Sequence, residues 1–144
     1  MFSKTCEYAI RAMILIAQQS KKGAKSGIKE IVQAIDCPEY FIAKILQELA
    51  RQGLVQSTKG PNGGFYLNDD SFKCSMADVV RAIDGDKIFS GCGLGLKQCS
   101  ENRPCPIHHE FKKIRNEIHI MLSNARLDEF TDVLEKKMVF LKRK

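Results

Sequence analysis

The apolar positions near the start of the chain fall at Cys6, Ala9, Ile10, Met13, Ile14 and Ala17. Steps of three and four put them on one side of a helix, so Ser3 to about Gln19 reads as amphipathic and helical. The polar, glycine-containing stretch Lys21 to Gly27 breaks that pattern. Ile28, Ile31, Val32 and Ile35 then predict a short second helix ending near Asp36. Pro38 suits the first turn of a third helix, with Phe41, Ile42, Ile45, Leu46 and Leu49 as its buried stripe and Gly53 just past its end. Two short helices across a tight break form a helix-turn-helix.

After Gly53 the pattern changes. Leu54 to Thr58 and Phe65 to Leu67 are short strand candidates on either side of the turn-forming run Lys59-Gly60-Pro61-Asn62-Gly63-Gly64. A hairpin placed directly after a helix-turn-helix is a wing. Ser75 followed by Asp78 marks the start of a further helix through Met76, Val79, Val80 and Ile83, stopping at Gly85. Residues 85–105 are rich in Gly and Cys and show no period, the mark of a functional loop. Pro106 then opens a long helix in which Ile107, Phe111, Ile114, Ile118, Met121 and Ala125 alternate steps of four and three. That is the rhythm of a helix packed lengthwise on another, and it predicts a homodimer seam; packing on its own domain is the competing expectation. Arg126 to Lys137 reads as one more helix, and Met138 to Leu141 is an apolar patch before Lys142-Arg143-Lys144.

The resulting fold class is mainly α with a small β-hairpin. The expected division is a winged helix-turn-helix, DNA-binding domain over residues 1–84, a cysteine-rich loop over 85–105, read below as cluster-binding, and a dimerisation helix and tail over 106–144.

Charge refines this division. The net charge is +6, but residues 1–67 carry nine Lys/Arg against five Asp/Glu, whereas residues 68–134 carry nine against eleven. A basic N-terminal half fits a polyanionic partner, since each phosphate neutralised releases condensed counterions. The apolar stretch Tyr8 to Ala17 carries Arg11 and lacks a cleavage site, so neither a signal peptide nor a membrane span is read, and the cytoplasm is the expected compartment.

In that reducing compartment the six cysteines are expected as thiols, and clustered ones as metal ligands. Cys92, Cys99 and Cys105, followed by His108, place three soft donors and an imidazole in one loop. Iron-sulfide and zinc both take such donors; the spacing lacks paired CxxC knuckles and suits a larger centre than one ion. Unliganded cysteines in a loop are the competing reading. Cys6, Cys37 and Cys74 are scattered and read as small buried residues.

Toward DNA, the third helix presents Glu39, Tyr40, Ala43, Lys44 and Gln47 opposite its apolar stripe, with Tyr40, Lys44 and Gln47 as candidate base or phosphate contacts. Lys59 at the wing tip, beside Gly60 and Asn62, is placed to enter a narrow minor groove. No phosphate loop is present, because the run Gly60 to Gly64 lacks its Lys-Ser/Thr ending, and no nucleophile and base assemble; an enzyme is not expected.

The opening Ser3-Lys4-Thr5-Cys6-Glu7-Tyr8-Ala9, the wing Lys59 to Leu67, the helix start Ser75-Met76-Ala77-Asp78-Val79-Val80 and the three-cysteine loop together resemble the family of the regulators IscR, NsrR and CymR. The resemblance implies a dimeric winged helix on palindromic promoter DNA, with Cys92, Cys99 and Cys105 holding an iron-sulfur cluster. It implies two candidates for the fourth ligand: His108 with a 2Fe-2S centre first, Glu7 with a 4Fe-4S centre second. Lys59 stands where the family commonly has arginine, keeping the charge but not the planar fork, and Ala43 supplies no polar reader. A cluster-free member acting through a partner protein, and a small iron-sulfur electron carrier, are the competing readings.

Overall fold

The computed structural model describes residues 1–143; of the basic end read from the sequence, Lys144 lies outside them. Helix α1 (Lys4–Lys21) starts at Ser3, whose hydroxyl accepts the Cys6 amide at 3.0 Å. Its spacing buries Ala9, Met13, Ile16 and Ala17, and the helix runs through the middle of the fold. Helix α2 (Ile28–Ile35) and helix α3 (Glu39–Arg51) pack on it through Ile31, Ile35, Ile42, Leu46 and Leu49. Between them Asp36 adopts a left-handed backbone, φ 55°, a conformation that short polar side chains tolerate. Pro38 caps α3 from just outside rather than sitting in its first turn.

Strands β1 (Gln56–Thr58) and β2 (Gly64–Tyr66) pair antiparallel, with Ser57 opposite Phe65. They are the expected wing. Ser26 extends it, exchanging backbone hydrogen bonds of 2.8 and 2.9 Å with Phe65. A Cβ on Gly63 would lie 2.2 Å from the Thr58 carbonyl oxygen, so the tight return of the chain requires glycine there.

A single turn not expected from the sequence, α4 (Asp69–Phe72), follows, capped by the Asn68 side chain on Ser71 N at 2.9 Å. Helix α5 (Met76–Asp84) opens on the reciprocal Ser75–Asp78 capping box and stops at Gly85, φ 76°. Within the loop expected over 85–105 there is one further turn, α6 (Lys87–Ser90). Helix α7 (His108–Asn124) begins two residues after Pro106. The single helix expected over Arg126 to Lys137 is broken into a 3-10 turn, Leu127–Glu129, and α8 (Thr131–Glu135).

One core joins these elements, and Leu122 and Leu127 belong to it with the residues of α1, α3 and α5. The far end of α7 is fastened to the start of α5 by backbone hydrogen bonds, Met76 N to Ala125 O at 2.8 Å and Leu127 N to Cys74 O at 3.0 Å. The α7 stripe divides. Phe111 and Ile118 turn partly inward, whereas Ile107, Ile114 and Met121, seven residues apart, are exposed, Ile114 to 55%. One face of α7 therefore packs on its own domain, and the adjacent face leaves an apolar row exposed.

Candidate functional site

The exposed side of α3 carries Glu39, Tyr40, Ala43, Lys44 and Gln47, as its period requires. Tyr40 is 66% exposed, and Lys44 Nζ lies 4.5 Å from its ring centroid, so a cation and an aromatic face are presented together. Phe41, expected in the buried stripe, is instead exposed at the surface. Its ring sits 6.2 Å from that of Tyr8 and 5.9 Å from that of Tyr40, forming an aromatic run from α1 to α3. Lys59, Gly60 and Asn62 are exposed at the wing tip. Lys25, in a loop without period and so missed from the sequence, joins the wing: its Nζ donates to Thr58 Oγ1 at 3.0 Å and lies 5.2 Å from the Tyr66 ring.

The cysteine loop folds back on the start of α7. All six cysteines are free. Cys99 Sγ lies 3.4 Å from His108 Nδ1. The Cys92 thiol is held below its ordinary value, chiefly because the backbone amides of Leu94 and Leu96 donate to it, with further help from the Cys105 thiol. Of the four expected donors, Cys99 and His108 are thus in contact, with Cys92 and Cys105 in the same loop.

His108 is only 3% exposed. Its second nitrogen, Nε2, lies 3.3 Å from Glu101 Oε2, within ion-pair reach but without an aligned hydrogen bond. Glu101 also pairs with Lys112, and that ammonium, with His108, holds its carboxyl below the usual carboxylate range. Donor atoms of Glu101, His108 and His109 lie within 4.8 Å of one another. Sequence reasoning missed Glu101, because only the reversal of the loop brings it to the histidine. The donor set suits a soft metal centre: sulfur donors and a buried imidazole with an unsatisfied nitrogen.

Glu7 lies elsewhere within the chain. Its carboxylate is 3.6 Å from Lys4 Nζ and lines a cavity with Arg11, Asp36 and Leu141. Cys6 and Cys37 are buried as expected, and Cys74 is partly so. Among the described residues no helix is long and apolar enough to cross a membrane.

Comparison with known proteins places this geometry in a wider setting. The family model described as Rrf2, iron-dependent transcriptional regulator, matches residues 2–133. An HTH-type transcriptional regulator of Aquifex aeolicus is 29% identical over 140 residues, covering 96% of each chain. The regulator IscR of Vibrio vulnificus is 28% identical over 122 residues, 85% of this chain and 71% of that one. Among solved structures, CymR of B. subtilis superposes with a TM-score of 0.77 at 20% identity, covering 92% of this chain and 96% of that one. IscR of T. potens does so with 0.72 at 21%, covering 96% and 92%. The fold is that of these winged-helix proteins, and the relatives are transcriptional regulators rather than enzymes.

Proposed function

Because the chain belongs to the Rrf2 family of transcriptional regulators, we propose that it binds promoter DNA as a cytoplasmic homodimer whose affinity is set by an iron-sulfur cluster on Cys92, Cys99, Cys105 and His108. The observation that carries the cluster reading is the contact between a loop thiol and a buried imidazole, with Cys99 Sγ 3.4 Å from His108 Nδ1. Three thiolates and one imidazole suit a 2Fe-2S centre, and Glu7 with a 4Fe-4S centre stands second. When bound, the cluster supplies a centre sensitive to oxidants, iron supply and nitric oxide.

On DNA, Tyr40, Lys44 and Gln47 of α3 face the major groove, and Lys59, Gly60 and Asn62 of the wing the adjoining minor groove. In the dimer, Ile107, Ile114 and Met121 of each α7 meet their counterparts, which removes an exposed apolar row from water. The recognition helices then read half-sites about one helical turn, ~34 Å, apart.

Coupling runs along α7. Its far end is pinned to α5 through Ala125 and Leu127, while its near end carries His108 and abuts the loop. A change of order in residues 85–105 therefore tilts α7 about the pinned end and alters the spacing of the two reading heads. Such a shift follows only if the cluster has different affinity for the two arrangements.

A cluster-free mode, signalled by a partner protein, draws support from the Glu101 carboxylate, which gives His108 a partner inside the chain at 3.3 Å. Purification without oxygen, followed by a visible spectrum and iron and sulfide analysis, separates the two. The cluster reading expects colour and about two irons per chain, both lost in Cys99→Ala together with a changed promoter affinity. Colourless, iron-free wild-type protein that still binds DNA overturns it in favour of the partner-protein mode.

A further inference from the structure

Beside the cysteine loop, the start of the chain, α6 and α7 enclose a cavity of about 500 Å³. Its size lies in the range of small-molecule sites, roughly 300–1,000 Å³. Ile88, Phe111 and Ile118 give it apolar walls, and Lys87, Asp84 and Arg115 are its charged groups.

Arg115 is the unusual member. It is 7% exposed, its guanidinium donates to the Gly91 carbonyl at 2.8 Å, and its Nε has no hydrogen-bond partner. Among the described residues no carboxylate lies within 4.0 Å of it. Asp84, the acid of the cavity, is occupied by the Ser3 amide at 3.0 Å and the Ser3 hydroxyl. A guanidinium withdrawn from water with one neutral acceptor is destabilised unless an anion joins it.

We propose that this cavity binds a small organic carboxylate, its carboxylate on the Arg115 guanidinium and its apolar body against Ile88, Phe111 and Ile118. The planar fork of arginine matches a carboxylate, and the walls favour an organic acid over an inorganic anion. The site also touches the loop. Arg115 holds Gly91, Cys92 lines the cavity, and a Cβ on Gly93 would lie 2.8 Å from the Phe111 ring. A carboxylate that engages Arg115 thus acts on the backbone that carries Cys92. The binding itself does not depend on the cluster reading.

Sodium butyrate is a suitable probe, added to the full-length, metal-free protein with ionic strength held constant by sodium chloride. The expected result is a saturable rise in Tm, about 5 °C at ten times the Kd, unchanged in Cys99→Ala, which is incapable of the three-cysteine cluster, and absent in Arg115→Gln. If Arg115→Gln fails to fold, titration of the wild-type protein followed at the Arg115 side-chain ¹⁵Nε resonance replaces it, with a saturable shift expected. No saturable response, a response retained in folded Arg115→Gln, or an equal response to sodium sulfate overturns the proposal. Because Cys99→Ala is tested in parallel, loss of the cluster reading and loss of this site are separately visible.

Discussion

The thiol of Cys99 and Nδ1 of His108 stand 3.4 Å apart across nine residues of sequence, inside a fold that buries the imidazole almost completely. Glu7, the other candidate ligand, is paired with Lys4 in a different cavity. On this geometry, His108→Ala purified without oxygen holds less than half the wild-type iron and sulfide, whereas Glu7→Ala holds the wild-type amount. Far-UV circular dichroism should match in all three proteins. The reverse ranking in iron content assigns the fourth ligand to Glu7.

The parts of this arrangement that were legible in the sequence are those with a local physical cause. The capping box at Ser75 and Asp78, the glycines of the wing and the three-four spacing of α1 each report a backbone requirement within a few residues. What was not legible depends on long-range return of the chain. Glu101 meets His108 only because the loop reverses, and Arg115 finds its acceptor only because Gly91, 24 residues earlier, returns to it. Phe41 sits at the edge of its helical stripe, where periodicity alone does not decide between core and surface, and its ring lies at the surface beside Tyr8 and Tyr40. The turn at Asp69–Phe72 is too short and polar to produce a period at all.

Burial of Cys6 has a consequence in alkali. Desolvation, reinforced by Asp84, pushes its thiol up from an ordinary 9.0 to about 12. The unfolded chain therefore ionises this thiol first, and the stability it contributes is complete below pH 9.0 and declines as pH rises toward 12. Urea midpoints measured at pH 8 and pH 10.5 should fall further for wild type than for Cys6→Ala. Iodoacetamide at pH 8 should leave Cys6 unmodified in the native, metal-free protein. Equal falls in the two midpoints remove the thiol as the cause.

Two neighbouring faces of α7 should respond oppositely to substitution. Leu122 is 1% exposed in the shared core, so Leu122→Ala should lower unfolding stability by about 2–5 kcal/mol. Ile114 is exposed, and Ile114→Glu should leave the subunit fold intact while placing two like charges across the proposed seam. Sedimentation velocity at micromolar concentration should show Ile114→Glu as a monomer and Leu122→Ala as a dimer at temperatures below its unfolding. A dimeric Ile114→Glu moves the subunit contact to another surface.

The wing offers the sharpest test of how DNA is held, because its two functions separate by residue. Lys59 is an exposed cation with no role in closing the hairpin, so Lys59→Ala should weaken all sequences about equally and reduce the salt slope of binding by about one. Gly63 is different: any side chain there collides with the Thr58 carbonyl, so Gly63→Ala must open the turn and carry Lys59, Gly60 and Asn62 away from the groove together. Promoter affinity, measured by fluorescence anisotropy over a salt series, should drop by more than tenfold in Gly63→Ala. The Tm should change little, since the tip lies outside the core that α1, α3 and α5 share with Leu122. Wild-type affinity in both variants would leave α3 as the sole DNA contact and take the wing out of the reading head.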